Sequence, residues 1–171
     1  KGYDYRYSSV VGFEPQNYAI VILSMPGASY STSDIDKLET QLSKKGKIIM
    51  MDILAEVPPA STFFLDALSD GLNTGIGFVW GLVTDTVNNI GGNKMMITTD
   101  NFTTHPLAST LSAKIAMMMA TKLTVEGNAT VAIFAESSAI FTTYVPSGDE
   151  VTYVPEATPP IPIVVASNIG G

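Results

Sequence analysis

The sequence predicts a three-layer α/β domain built on a mostly parallel sheet. Three observations predict it: two short apolar runs, Tyr18–Leu23 and Lys47–Met51; a helix-patterned stretch between them; and a mean hydropathy of +0.26 with only 15% charged residues. Strands covered on both faces read as continuous apolar runs, and a parallel pair needs a crossover that is usually a helix. One right-handed βαβ unit of this kind implies helices on both faces of the sheet. The length, 171 residues, suits a single domain over 1–171 with a proper core.

Taken in order, Lys1-Gly2 reads as the end of a helix begun earlier, and Tyr3–Ser8 alternates aromatic and polar residues like a half-buried edge strand. The run from Tyr18 to Ser24 is the first central strand, broken by Pro26 and Gly27. Ser33 stands three residues before Asp36, a capping-box spacing, and Asp34 adds first-turn charge. Ile35, Leu38 and Leu42 share one helical face toward the sheet; Lys37, Glu39 and Lys44 face water. Lys44 and Lys45 fill the last turn, and Gly46 is expected to take the left-handed position that ends the helix. Lys47–Met51 returns as the second strand.

Beyond it, Pro58-Pro59 closes a loop, and Ser61 caps a second helix whose apolar face is Phe64, Leu65 and Leu68, ended by Gly71. Gly77–Thr84 reads as a strand, Asp85–Gly92 as a polar loop and Lys94–Thr99 as a further strand. Asp100–Pro106 is a loop leading into a helical turn over Pro106–Leu111. Met117, Met118 and Met119 suit adaptable core better than a metal or peptide surface. Gly127-Asn128 marks a turn, Thr130–Ala135 a strand, Ser147–Glu150 a loop or hairpin turn, and Pro162–Ala166 the last strand. The chain stops at Gly170-Gly171 where a turn into another strand is natural, so both ends suggest a piece of a longer protein.

Composition narrows the function. Nine basic against sixteen acidic residues give a formal charge of -7, and the one lysine group, Lys44, Lys45 and Lys47, flanks a helix end. Nucleic acid and anionic membrane surfaces are poor partners for such a chain. The absence of cysteine removes disulfides, thiolate metal sites and a cysteine nucleophile. No run of eighteen apolar residues occurs, so membrane contact is expected only through segments outside this chain. Gly75-x-Gly77 is not a dinucleotide fingerprint, and no phosphate loop is present. One histidine and scattered carboxylates define no metal site; no cofactor is expected. The hydropathy admits two explanations: a fully covered sheet, or an additional apolar surface that meets a partner.

Open α/β sheets place ligands at the carboxyl ends of their strands. The candidate crevice is therefore Ser24, Pro26, Gly27 and Asp52, with Asp100 and His105 on a loop that reaches the same edge. Asp52, the only charge within Ile48–Leu54, either meets a ligand there or is satisfied by turn N–H groups as a structural cap. A carboxylate beside an imidazole is general-base chemistry, which gives a hydrolase alternative on Asp52, Asp100 and His105. The competing reading of His105 is a loop histidine capping a helical turn.

Several stretches together resemble the extracytoplasmic domain of the gliding-motility-type ABC-transporter auxiliary family. They are Tyr18–Leu23 with its Pro loop, Ser31–Glu39, Lys44–Asp52, Phe64–Leu68 before the glycine-rich stretch, Thr104–Leu107, and Pro162–Gly170. That family is similar to class I glutamine amidotransferases, a group that takes in related domains of unknown function and intraflagellar-transport relatives. The resemblance implies a flavodoxin-like, class I glutamine amidotransferase-like fold in an extracytoplasmic, membrane-anchored protein. It also implies a non-catalytic binding or interaction domain with a protein partner in transport or surface assembly. Amidotransferases carry a cysteine after the strand matching Lys47–Met51; here Asp52-Ile53-Leu54 stands there, so no amidotransferase activity is implied and the chain is not expected to be an enzyme.

Overall fold

A computed structural model describes residues 14–24, 30–51, 74–147, 150–156 and 159–168. The expected edge strand at Tyr3–Ser8, the second helix at Ser61–Leu68, and Pro26, Gly27 and Asp52 lie outside the described residues.

The βαβ unit is present. Strand β1 (Ile20–Ser24) pairs in parallel with β2 (Lys47–Met51), Ile20 opposite Lys47 and Ile22 opposite Ile49. Helix α1 (Thr32–Ser43) connects them. Its cap is Ser31 rather than Ser33: Ser31 Oγ accepts from the Asp34 N–H at 3.2 Å, and the Asp34 carboxylate accepts from the Ser31 N–H at 3.3 Å. At the other end Lys45, not Gly46, adopts the left-handed conformation (φ 64°). The Gly46 N–H reaches Gln41 C=O at 3.0 Å and the Lys45 N–H reaches Leu42 C=O at 2.9 Å, a Schellman ending. Gly46 is required for space instead, because a Cβ there would collide with the Gln41 side chain.

The rest of the described chain is antiparallel. It contains β3 (Ile76–Phe78), β4 (Gly81–Thr84), β5 (Asn89–Ile90), β6 (Asn93–Thr99) and β7 (Ile115–Met118). After these come β8 (Leu123–Val125), β9 (Ala129–Phe134), β10 (Ile140–Ser147), β11 (Glu150–Glu156) and β12 (Pro162–Ser167). They form small sheets with orders β11-β10-β4, β12-β9, β3-β8 and β5-β6-β7. The expectation of a three-layer, mostly parallel, flavodoxin-like fold is therefore overturned: the described structure is mostly β, with one α-helix. The physical reason lies in the connections. Between β3 and β12 no helix links the paired strands among the described residues: β5–β6 and β10–β11 follow one another as hairpins, too short for a helical crossover, and the remaining pairs also run antiparallel. Asp85–Gly92, expected as loop, holds one such hairpin: Gly91 (φ 63°) and Gly92 (φ 79°) form the turn between β5 and β6. The strand expected over Gly77–Thr84 is split at Val79-Trp80 into β3 and β4.

Two apolar clusters result. The larger gathers Val83, Ile97, Ala132, Ile133, Phe141, Ile161 and Ile163 from three sheets and their connections. The smaller joins Val21 and Leu23 to Leu38, with Ile35, Ile48 and Met50 against them. Strand β3 ties the two regions together, since it pairs with β8 while Ile76 and Phe78 pack on the smaller cluster.

Candidate functional site

Alternation along β1 and β2 decides what each face of the parallel pair does. Val21 and Leu23 point to α1 and are buried, as is Leu38 on the helix. The partners of opposite parity point the other way: Ile20, Ile22, Ile49 and Met51 are 47%, 60%, 47% and 49% exposed. The runs that read as covered on both faces are covered on one. Lys47 shares the outer face with Ile49 and Met51, and Tyr18, 42% exposed, precedes Ile20 in extended conformation. The outer face is thus a continuous aliphatic stripe with a cation at one end.

The unit beneath is held firmly. Gln41, 1% exposed, sits three residues after Leu38 on the buried side of α1. Its amide donates to the Tyr18 carbonyl at 3.2 Å and the Lys47 carbonyl at 3.3 Å, tying the end of the helix to the start of both strands. Leu42, expected to face the sheet, is not part of the buried cluster; Ile35, Leu38 and Gln41 form the covered stripe. Lys37, expected to face water, is half-buried and lies 3.9 Å from Glu14.

The described residues of the candidate crevice, Ser24, Asp100 and His105, divide between the two regions. Ser24 ends β1 beside the smaller cluster. Asp100 is exposed just past β6, and its N–H donates to the Glu136 carboxylate at 3.0 Å. His105 Nδ1 accepts from the Leu107 N–H at 3.1 Å, while the His105 carbonyl accepts from Ala108 and Ser109. The imidazole therefore serves the turn that follows it, and in the neutral ring the proton is on Nε2. Between Asp100 and His105, Phe102 packs on the larger cluster.

A polar cluster that the sequence did not announce lies around Asp85, 1% exposed. Its Oδ1 accepts from the backbone N–H groups of Val87 (2.7 Å) and Asn88 (2.8 Å), and its Oδ2 from the Ser138 hydroxyl (2.7 Å). Burial alone raises its pKa; the donors from Asn88, Ser138 and Val87 outweigh that and hold the carboxyl below the usual range. Lys114 Nζ donates to Asn88 Oδ1 at 3.2 Å. Glu136 is likewise held low, first by the Asp100 N–H and further by the Thr99 hydroxyl at 2.9 Å. Carboxylates stabilised as anions in this way are poor proton acceptors, so the cluster reads as a brace joining β4, β6 and the β9–β10 connection. Only the Asx-type spacing of Asp85 to Val87 and Asn88 hints at it in the sequence.

Among the described residues no group of histidine, cysteine and carboxylate side chains is arranged to hold a metal ion, and no helix is long and apolar enough to cross a membrane.

No family model and no curated protein matches the sequence. In three dimensions the chain is similar to a solved structure described as the "mmIFT52 N-terminal domain", with a TM-score of 0.57 and 12% identity. The match covers 81% of this chain and 64% of that one, so this chain spans less than two thirds of its neighbour's length. A likeness at this identity concerns the fold alone. These findings overturn the resemblance to an ABC-transporter auxiliary domain, which nothing among them supports, and the amidotransferase-like and flavodoxin-like assignment with it: the neighbour is β-rich.

Proposed function

We propose that this chain is a non-catalytic protein-binding domain whose contact surface is the outer face of β1 and β2. The observation that carries the reading is the exposure of Ile20, Ile22, Ile49 and Met51, between 47% and 60% each, on one side of a parallel strand pair. Parallel pairs are stable when both faces are covered, and a contiguous apolar patch rimmed by polar groups is how interaction surfaces present themselves. The hydrolase alternative asks His105 Nδ1 to take a proton while it already accepts a hydrogen bond from Leu107; nothing in that loop favours it.

The test is site-specific photo-crosslinking in the native cell, with a benzophenone side chain at position 22 and a control at exposed position 110. Position 22 is expected to give one protein adduct of defined mass, competed by excess wild-type chain and not by Ile22→Lys. Equal labelling at both positions, or adducts that the variant competes equally well, would overturn the reading.

A further inference from the structure

We infer that the occupant of this face is a single amphipathic α-helix, aliphatic along one side and acidic in its last turn, lying antiparallel to β1 and β2. The inference rests on the protein-binding reading above and adds the partner's class. It starts from dimensions. Each strand runs five residues, about 16 Å, and paired strands lie about 4.8 Å apart. A face of that size matches about three turns of one helix and is too narrow to cover a second.

Charge sets the partner's chemistry and its direction. Lys47 stands on the face itself opposite Ile20, and exposed Lys44 and Lys45 precede it, in a chain whose formal charge is -7. Lys44 and Lys45 also serve the carboxyl end of α1; Lys47 points away from it. The cationic end of the face is the amino-terminal end of both strands. A helix running antiparallel to the strands brings its own carboxyl end there, where its free carbonyls and acidic side chains meet the lysine. A helix on the opposite side of the same strands already follows this rule, since α1 ends at Lys44 beside the start of β2. A second copy of this chain fits worse: it would offer an identical face, lysine included, on which no described residue is a carboxylate.

The probe is a fluorescein-labelled, lactam-bridged peptide of about 14 residues, with leucines at i, i+3, i+4 and i+7 and two glutamates in its last turn. Anisotropy titration with the 171-residue chain is expected to show saturable binding. Ile22→Lys weakens it about tenfold or more, and Lys47→Glu about three- to fivefold. A peptide with lysines in place of the glutamates reverses the second effect, binding Lys47→Glu better than wild type. Both substitutions are at exposed positions, and circular dichroism verifies that the variants fold. The inference is overturned if Ile22→Lys binds the peptide as wild type does, or if the charge-swapped peptide shows no preference. It is equally overturned if the chain instead self-associates, or binds phosphatidylglycerol vesicles, in a manner abolished by Ile22→Lys. A specific adduct at position 22 without peptide binding leaves the protein-binding reading standing and removes only the helix.

Discussion

Leu38 and Phe141 are both sealed, at 0% and 1% exposure, yet the regions they anchor are finished differently. Around Phe141 the strands come from several small antiparallel sheets, whose inner residues Val83, Ile97, Ala132 and Ile163 close on one another. Around Leu38, among the described residues, α1 together with Ile76 and Phe78 of β3 covers one side of the β1–β2 pair, and the aliphatic residues on the other face are exposed. The larger region also leaves large apolar side chains exposed, on bends and turns (Val87, Leu107) and on strands of two sheets (Ile90, Met95, Met118, Ile140, Val145, Val154); the exposed isoleucines of the smaller region lie side by side in register on one face. The comparison teaches that the positive mean hydropathy is not all core, and that the half-clad region has a surface to spare.

The largest effect belongs to the closed region. Phe141→Ala is expected to cost about 3–5 kcal/mol in a urea titration, because several sheets lose their common contact. Leu38→Ala follows at about 2–5 kcal/mol, with a cost toward the lower end of that range if the half-clad region relaxes more easily. If Leu38→Ala proves the costlier by a clear margin, the ranking of the two cores is wrong.

Those two positions were not equally legible. Leu38 follows from helical spacing between two apolar runs, and the parallel pairing of β1 and β2 follows from the same evidence. The turn at Gly127-Asn128 was also readable from its residues, and β10 and β11 pair on either side of the Ser147–Glu150 stretch. Strand direction elsewhere was not, because a short apolar run looks alike in a parallel or an antiparallel sheet. Ser31 and Ser33 each precede an aspartate by three residues, so spacing could not choose between them as cap. Gln41 was hidden by its polarity, since its role depends on carbonyls 22 and 23 positions earlier in the chain. Of the candidate crevice, the structure places Ser24 in one region and Asp100 and His105 around the other; the exposed stripe beside Ser24 escaped notice because an apolar run does not say which face is bare.

Asp85 offers a pH-dependent test of how the closed region is braced. Its folded pKa lies below the ordinary 3.8, so its stabilisation is present above that value and is lost as the pH falls through the folded one. Asp85→Asn is expected to cost about 1–3 kcal/mol near neutral pH, with the gap to wild type narrowing as the solution is acidified. A gap that widens on acidification would mean that the carboxyl is not held as an anion. A smaller effect is expected at the β5–β6 turn: Gly92→Ala meets no neighbouring atom, so its cost is the left-handed backbone alone, about 1 kcal/mol.

The bare face of β1 and β2 is the central claim, and the double variant Ile22→Ser/Ile49→Ser tests it most directly. Equilibrium urea unfolding of this variant beside wild type measures what the two side chains contribute to the isolated chain. Exposed residues of this kind are expected to change stability by about 0.5 kcal/mol or less, with the denaturant slope unchanged. A loss of about 2 kcal/mol or more would contradict the account, because it would mean that the chain already buries the surface reserved here for a partner.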